Sequence, residues 1–295
     1  MDRFQVLRLF VAIGEHASFA EAARRLRVSP TAASRAIAGL ERDLGVVLLR
    51  RTTRSVSLTD AGAHYHEHCR HALEELDDAA RGLRGENAEP RGTLVLTAPE
   101  MFGRLHILPV VTTLLRRYPA LDVRLTLSDR VVRLVEEGID VAVRIAELPS
   151  SSLRAARVAT TRRVLVASPD YLAARGMPER VTDLHDHALI GVESLAPNGE
   201  WRFGGPGRPA IRFESRLLTN SMGAAIDAAR AGAGITRALC YQVRAEIDRG
   251  ELVPLLSDFD PPGVPISLLY APNRQRSANV RAFIDATKAA LSSLG

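Results

Sequence analysis

The sequence predicts an α/β protein arranged as a helical head, one long helix and an α/β body. Three observations carry that prediction. Residues 2–45 repeat apolar positions at helical spacing, with capping residues between the repeats; residues 60–83 contain no proline and, short of Gly82 at the end, a single glycine, Gly62; and beyond Gly92 short apolar strands alternate with helical stretches. A chain of 295 residues suffices for two or three domains, and 46% hydrophobic with 25% charged residues places it among globular proteins. No run approaches the ~18 apolar residues of a membrane span. Residues 2–14 read as an amphipathic helix rather than as a signal peptide, so the cytoplasm is the expected compartment and no membrane is expected as a partner. Cys69 and Cys240 form neither a metal spacing nor a Cys-x-x-Cys pair, so no disulfide, metal or cofactor is assigned.

In the head, Val6, Leu7, Phe10, Val11 and Gly14 share one side of a first helix. Ser18 and Glu21 have the spacing of a capping box for a second helix, whose buried stripe is Phe19, Ala22, Ala23 and Leu26. Ser29 is the N-cap of a third helix and Pro30 fits its first position. Ala33, Ile37, Leu40 and Leu44 form its buried face. The opposite face opens with Thr31, Ser34, Arg35 and Ala38, small side chains around one long cation. Such a face can slide into a major groove and let Arg35 reach a guanine edge or a phosphate. Val46–Leu49 reads as a short strand, Arg50, Arg51, Thr52, Thr53 and Arg54 as a basic turn, and Ser55–Leu58 as the returning strand. Arginines on such a wing suit phosphates or a narrow minor groove. Arg24, Arg25, Arg27, Arg35, Arg42, Arg50, Arg51 and Arg54, set against Glu21, Glu41 and Asp43, leave a net +5 between residues 20 and 56, the whole excess of the chain. Positive charge so concentrated points to a polyanion. The plainer alternative is an ordinary helical bundle with a solvated basic face.

Thr59 fits the N-cap of a helix from Asp60 to Leu83, about 36 Å long at 1.5 Å per residue. Ala61, Tyr65, Ala72, Leu76, Ala80 and Leu83 form an apolar stripe that one helix cannot bury alone, and a second copy is the obvious cover. His64, His68 and His71 share a face; chance placement on a polar face is preferred over a metal or pH site. Gly85–Gly92, with Pro90, is a hinge.

Further on, the strand candidates are Thr93–Thr97, Leu121–Leu127, Val141–Ile145, Arg163–Ser168, Ala188–Val192, Ile211–Leu218, Gly234–Ala238 and Ile266–Tyr270. Helices are expected around Leu105–Tyr118, Val131–Glu137, Ser221–Ala231 and Asn279–Leu291, and the sheets are expected to be mostly parallel. In open α/β sheets ligands sit beyond the carboxyl ends of strands, near helix N-termini. Thr97 ends the first strand, and Thr219, Asn220 and Ser221 lie between a strand and a helix; both positions suit a carboxylate or a polar small molecule. Arg144 at a strand end adds charge, with a hinge salt bridge as its alternative role. Trp201 is read as core before cleft wall.

Ser18-Phe19, Ala22-Ala23, Leu26, Val28-Ser29-Pro30, Ser34-Arg35, Leu40-Glu41, Leu44-Gly45, Leu48-Leu49-Arg50-Arg51 and Leu58-Thr59-Asp60-Ala61-Gly62 together resemble the winged helix-turn-helix of LysR-type transcriptional regulators. Ala33 departs from the larger aliphatic residue of many relatives. Thr97-Ala98-Pro99 with Phe102-Gly103, Tyr118-Pro119, Leu127-Ser128-Asp129, Glu137 to Ile145 and Ala231 to Ile235 resemble the effector-binding domain of the same family. That domain is similar to type 2 periplasmic binding proteins. The resemblance implies a DNA-binding head at 1–59, a dimerisation helix and hinge at 60–91, and a two-lobed α/β domain at 92–295. Lobe one would take 92–160 and 267–295, lobe two 161–266. It also implies that Ser29, Pro30, Thr31, Ser34, Arg35, Arg50, Arg51 and Arg54 serve double-stranded promoter DNA. Thr97, Ala98, Pro99, Phe102, Arg144, Thr219, Asn220 and Ser221 would serve a small-molecule effector, anionic by the chemistry of its site. Tyr65, Ala72, Leu76 and Leu83 would serve a homodimer or homotetramer, and RNA polymerase is a candidate partner. Two other classes compete. A solute-binding protein would lack the basic helix-turn-helix. An enzyme would find no support in Gly-x-Ser-x-Gly, His-Glu-x-x-His or a phosphate loop, and Gly204-Gly205-Pro206-Gly207 is turn chemistry.

Overall fold

Asp2 opens α1 (Arg3–His16) with a reciprocal cap, its carboxylate accepting the Gln5 N–H at 2.8 Å. The computed structural model describes residues 1–51, 56–83, 89–130, 132–134, 136–148, 151–193, 199–204 and 209–292. Ser18 caps α2 (Phe19–Arg25) by accepting the Glu21 N–H at 3.2 Å. Only this half of the expected capping box forms, because the Glu21 carboxylate turns to Arg24 and Arg25 at 2.8 and 2.9 Å. Arg27, at φ 54°, makes the tight turn into α3 (Pro30–Leu44), where the Ser29 hydroxyl accepts the Ala32 N–H at 3.1 Å. Ala33, Ile37 and Leu40 are buried as expected. Leu44 is exposed instead, being the last helical residue before Gly45 turns the chain left-handed at φ 67°.

The first wing strand lies three residues later than expected. β1 (Leu49–Arg51) pairs antiparallel with β2 (Val56–Leu58), so Arg50 and Arg51 belong to a strand and not to the turn. Arg54 and the rest of the tip lie outside the described residues. The entry to β1 is fixed by Glu41 of α3, whose carboxylate accepts the N–H groups of Leu48 and Leu49 at 2.9 and 3.0 Å.

Thr59 then caps α4 (Asp60–Leu83), accepting the Gly62 N–H at 2.9 Å. A Cβ on Gly62 would stand 2.0 Å from the Leu48 carbonyl oxygen, which is why glycine is needed at this position: α4 crosses the wing backbone there. His66, Cys69 and Leu73 of α4 are buried against the head, and His66 Nε2 meets the Val11 carbonyl at 3.0 Å.

The body holds two five-stranded sheets. β3 (Gly92–Ala98) leads through α5 (Glu100–Phe102), a π-helical turn at Gly103–Ile107 and α6 (Leu108–Arg117) into β4 (Leu121–Leu127), and β5 (Val141–Ile145) and β6 (Arg154–Thr161) follow. The chain passes at Arg162 into β7 (Arg163–Ala167) of the second sheet. That half continues through α7 (Pro169–Arg175), β8 (Leu189–Val192), β9 (Glu200–Arg202), β10 (Ala210–Arg212), β11 (Leu217–Thr219), α8 (Met222–Arg230), β12 (Ile235–Leu239), α9 (Cys240–Asp248) and β13 (Val253–Leu255). β14 (Val264–Tyr270) returns to the first sheet and α10 (Ala278–Leu291) covers it. The strand orders are β4-β3-β5-β14-β6 and β11-β8-β12-β7-β13.

Three expectations are corrected. The sheets are not mostly parallel: β3, β4 and β5 run parallel while β14 pairs antiparallel with β5 and β6, and the second sheet is divided likewise. The two crossings between sheets bring strands in from the opposite end, which makes those pairs antiparallel. Residues 211–218 are not one strand. Phe213 breaks away to donate to the Gly199 carbonyl at 2.8 Å, leaving β10 paired with β9 and β11 with β8. Residues 131–137 form no helix among the described positions; a single turn closes instead, with the Glu137 N–H on the Arg133 carbonyl at 2.9 Å. No helix among the described residues is long and apolar enough to cross a membrane.

Candidate functional site

Two surfaces of the chain hold the predicted functional residues, and the first is the outer face of α3. Ala33 and Ile37 lock that helix into the head, so Pro30, Thr31, Ala32, Arg35 and Ala38 are left exposed at its N-terminal half, with Ser29 beside them as the cap. Arg35 stands at the rim of a groove between the N-terminus and α3, formed with Val6, Ala36 and Gly39. Among the described residues neither Arg35 nor Arg50 has an ion-pair partner, so both present unneutralised charge. Ser34 and Arg51 behave differently. The Arg51 guanidinium donates to Ser34 Oγ at 2.9 Å, lies 4.5 Å from the centre of the Phe19 ring and sits 3.7 Å from Glu41. It thereby ties α2, α3 and the wing strand together, a positioning role that sequence reasoning missed.

Along α4 the expected seam divides. Tyr65 packs inside the chain, 5.8 Å from Phe10 between ring centres. Ala72, Leu76 and Ala80 are exposed, Leu76 to 49%. The Leu83 side chain lies outside the described residues. His64 and His68 stack edge-on at 4.6 Å, whereas His71 turns to Asp140 at 3.6 Å, so the three imidazoles do not converge. Among the described residues no His, Cys, Asp and Glu group could hold a metal ion.

His71 belongs to a buried ionic clamp between α4 and the body. Arg70, 5% exposed, reaches Glu67 at 3.1 Å, Glu74 at 2.8 Å and the Thr93 carbonyl at 2.9 Å. Asp140 is fully buried; it accepts the Val95 N–H at 2.8 Å and pairs with Arg274, which also reaches Glu74 at 3.2 Å. Burial, reinforced by Arg70 and Arg274, drives the His71 imidazole down to about 4. Burial pushes the Glu74 carboxyl up against the pull of Arg70 and Arg274.

The second surface is a cleft of about 220 Å³ lined by Pro99, Asp129, Arg130, Arg144, Ile145, Ala146, Val192, Met222, Leu239, Tyr241 and Gln242, which come from both sheets. A narrower space of about 50 Å³ shares Ile145, Val192 and Leu239 with it and adds Arg163, Ile190, Trp201, Arg237 and Ala238. Of the predicted residues, Pro99 and Arg144 line the cleft. Thr97 and Ala98 are fully buried at the end of β3, and Thr97 Oγ1 has no hydrogen-bond partner among the described residues. Phe102 lies in the core, its ring centre 5.2 Å from that of Tyr241. Thr219 ends the edge strand β11, and Asn220 and Ser221 lead from it into α8. There Thr219 Oγ1 accepts the Ser221 N–H at 3.1 Å and Ser221 Oγ caps α8. Asn220 is exposed. Trp201 is 3% exposed, a core residue whose edge also walls the narrower space.

Burial lowers the Arg144 guanidinium, with Arg130 adding repulsion and Glu137 opposing it, and its Nη2 has no hydrogen-bond partner among the described residues. Tyr241 is pushed up by burial and by the Asp129 carboxylate, so it presents a neutral hydroxyl. Arg130, Arg163, Arg237, Tyr241 and Gln242 were not singled out from sequence. For Arg237 a signal existed: it is a lone charge inside the otherwise uncharged strand Ile-Thr-Arg-Ala-Leu, as Arg144 is in Val-Ala-Val-Arg-Ile, whereas Arg163 opens its strand beside Arg162.

Comparison with known proteins accords with this geometry. The family described as bacterial regulatory helix-turn-helix protein, lysR family, matches residues 4–63, and that described as LysR substrate binding domain matches residues 87–292. The HTH-type transcriptional regulator PtxR of Pseudomonas aeruginosa is 37% identical over 286 residues, covering 96% of this chain and 91% of that protein. The HTH-type transcriptional activator AaeR of Escherichia coli is 32% identical over 287 residues, 97% of this chain and 93% of its own. Among solved structures, CrgA, a LysR-type transcriptional regulator from Neisseria meningitidis, superposes with a TM-score of 0.64 at 28% identity, over 98% of both chains.

Proposed function

We infer how this protein works from one premise: the chain belongs to the LysR family of transcriptional regulators, with a helix-turn-helix DNA-binding segment and a substrate-binding domain. In this reading residues 1–59 are the head that binds promoter DNA, 60–91 the dimerisation helix and hinge, and 92–295 the two-lobed sensor. The N-terminal half of α3 enters the major groove. Pro30, Thr31 and Ala32 permit close approach, Arg35 reads a base edge, and Arg50 with the wing-tip Arg54 holds phosphates. Arg51 sets the wing against α3. Two copies assemble through the exposed Ala72–Leu76 stripe of α4, continued by Leu83. The cleft takes a small anionic effector on Arg144, with Tyr241 and Gln242 as neutral partners, and Asn220 at its edge. The protein acts by binding and not by catalysis, in the cytoplasm.

The observation that carries this reading is the asymmetry of α3: Ala33, Ile37 and Leu40 are buried on one face, and the other opens with small side chains around Arg35, which has no ion-pair partner among the described residues. The test uses an operator fragment selected from genomic DNA by the purified protein. Arg35→Ala should cost about 1–3 kcal/mol on that fragment and relax the preference at one base pair. Arg50→Ala should weaken specific and non-specific binding alike and shrink the salt dependence by about one phosphate contact. Equal losses from both changes on every sequence would overturn this division of roles.

A further inference from the structure

The cleft's narrower compartment holds two arginines, neither of which forms an ion pair among the described residues. Arg163 on β7 and Arg237 on β12 stand on adjacent antiparallel strands. Leu239 is the register partner of Arg163 and Leu165 that of Arg237, so the two guanidinium groups are diagonal neighbours on one face of the sheet. Ile145, Ile190, Val192, Trp201, Ala238 and Leu239 line the same space. Burial lowers Arg163; burial and repulsion from Arg163 bring Arg237 down to about 10. Arg237 donates to the Arg202 carbonyl at 2.7 Å and lies 5.1 Å from the Phe203 ring centre. The carboxylate acting on it is Asp260, which is itself paired with Arg162 at 3.7 Å. Arg163 has no hydrogen-bond or ion-pair partner among the described residues. Both side chains are half-buried among apolar walls, where an entering anion would be a better partner than the water it displaces.

The other compartment has one such cation of its own, Arg144, with Nη2 buried and unpartnered. Of the other charged groups there, Arg130 is paired with Glu137 and Asp129 accepts the Glu100 N–H at 3.3 Å, so the unpartnered Arg144 Nη2 is the donor left for an anionic group. Between the two arginine positions lie the shared apolar walls of Ile145, Val192 and Leu239. We propose that the effector is a small dianion with an apolar middle, a short-chain or aromatic dicarboxylate, held at one end by Arg144 and at the other by Arg163 and Arg237. The guanidinium fork matches a carboxylate in two hydrogen bonds, which an ammonium would not. The two spaces, about 220 and about 50 Å³, suit a metabolite near the lower limit of ligand pockets, about 300 Å³. This inference rests on the reading that the cleft takes an anionic effector.

Trp201 is the sole tryptophan and walls the second compartment, so its fluorescence reports occupancy there directly. The full-length protein is titrated with succinate, glutarate, adipate and terephthalate, and with the matching monoacids butyrate, valerate, hexanoate and benzoate. At least one diacid should change Trp201 emission saturably, at a concentration at least tenfold below that needed for its monoacid. Arg163→Gln should abolish that tenfold advantage and leave monoacid binding unchanged. Arg144→Gln should weaken both. In the absence of any acid, Arg163→Gln should raise the melting temperature, because it removes an uncompensated charge. A lower melting temperature, or a diacid advantage that survives Arg163→Gln, would overturn the proposal. Monoacids that bind as tightly as diacids and are lost with Arg144→Gln would overturn the dianion while leaving the anionic cleft standing. No response to any acid in fluorescence or melting would overturn both.

Discussion

Replacing Asp140 by Asn tests the clamp that joins the long helix to the body. Asp140 is fully buried, and its two oxygens do different work: one accepts the Val95 N–H at 2.8 Å and the other pairs with Arg274. Asparagine keeps one oxygen and gains an amide that only donates. Whichever way it turns, a donor faces either the Val95 N–H or the Arg274 guanidinium. Breaking a buried ion pair from one side costs about 3–5 kcal/mol. The lower end applies here, because Arg70 keeps Glu67, Glu74 and the Thr93 carbonyl, and Arg274 keeps Glu74. A loss of about 3 kcal/mol lowers the melting temperature of a domain of this size by roughly 6–12 °C.

The assay is thermal melting of Asp140→Asn, Arg274→Met and the double variant in a mutant cycle. If the pair acts as a unit, the double variant should lose clearly less than the two single losses combined, because Arg274 no longer stands buried without its partner. Strict additivity, or a melting temperature for Asp140→Asn within a degree or two of wild type, would refute the argument that this carboxylate balances the clamp.

Other consequences can be measured alongside it. His71 is held at about 4 while an unfolded imidazole titrates near 6.5, so the unfolded chain binds the extra proton between those values. Stability should therefore fall by up to about 3 kcal/mol as pH drops from about 6.5 to 4, and His71→Gln should flatten that limb of the melting-temperature profile; parallel profiles would exclude His71 as the cause. Leu76→Glu should put charge into the exposed stripe of α4 and give monomers in sedimentation; a dimer with unchanged dissociation would move the seam elsewhere. Gly62→Ala must force the linker helix off the Leu48 carbonyl, at a cost of about 1–3 kcal/mol in denaturant unfolding of the head, and an unaffected midpoint would mean the crossing is looser than 2.0 Å implies.

What the sequence revealed follows the reach of its signals. Local periodicity and caps located the start of α3 and the span of α4 as now observed, since Ser29, Pro30 and Thr59 act within four residues of themselves. The wing strand slipped by three residues because its start is decided by Glu41, seven residues back on another helix. Residues 211–218 read as one strand because alternation cannot tell a continuous strand from two that belong to different sheets. The ionic clamp was the least legible. Asp140 was visible only as part of a resemblance, since its partner Arg274 is 134 residues away and Arg70 lies on another element altogether. Such partners become neighbours only once β14 has returned to the first sheet and α10 has closed over it. Yet Asp140 immediately precedes β5, and Arg144 lies near the end of the same strand, roughly 13 Å on at 3.3 Å per residue. One short strand thus carries the clamp on the linker helix at one end and the cleft arginine at the other. A shift of β5 on ligand binding would be felt at Arg70 and Arg274 without any intervening loop to absorb it.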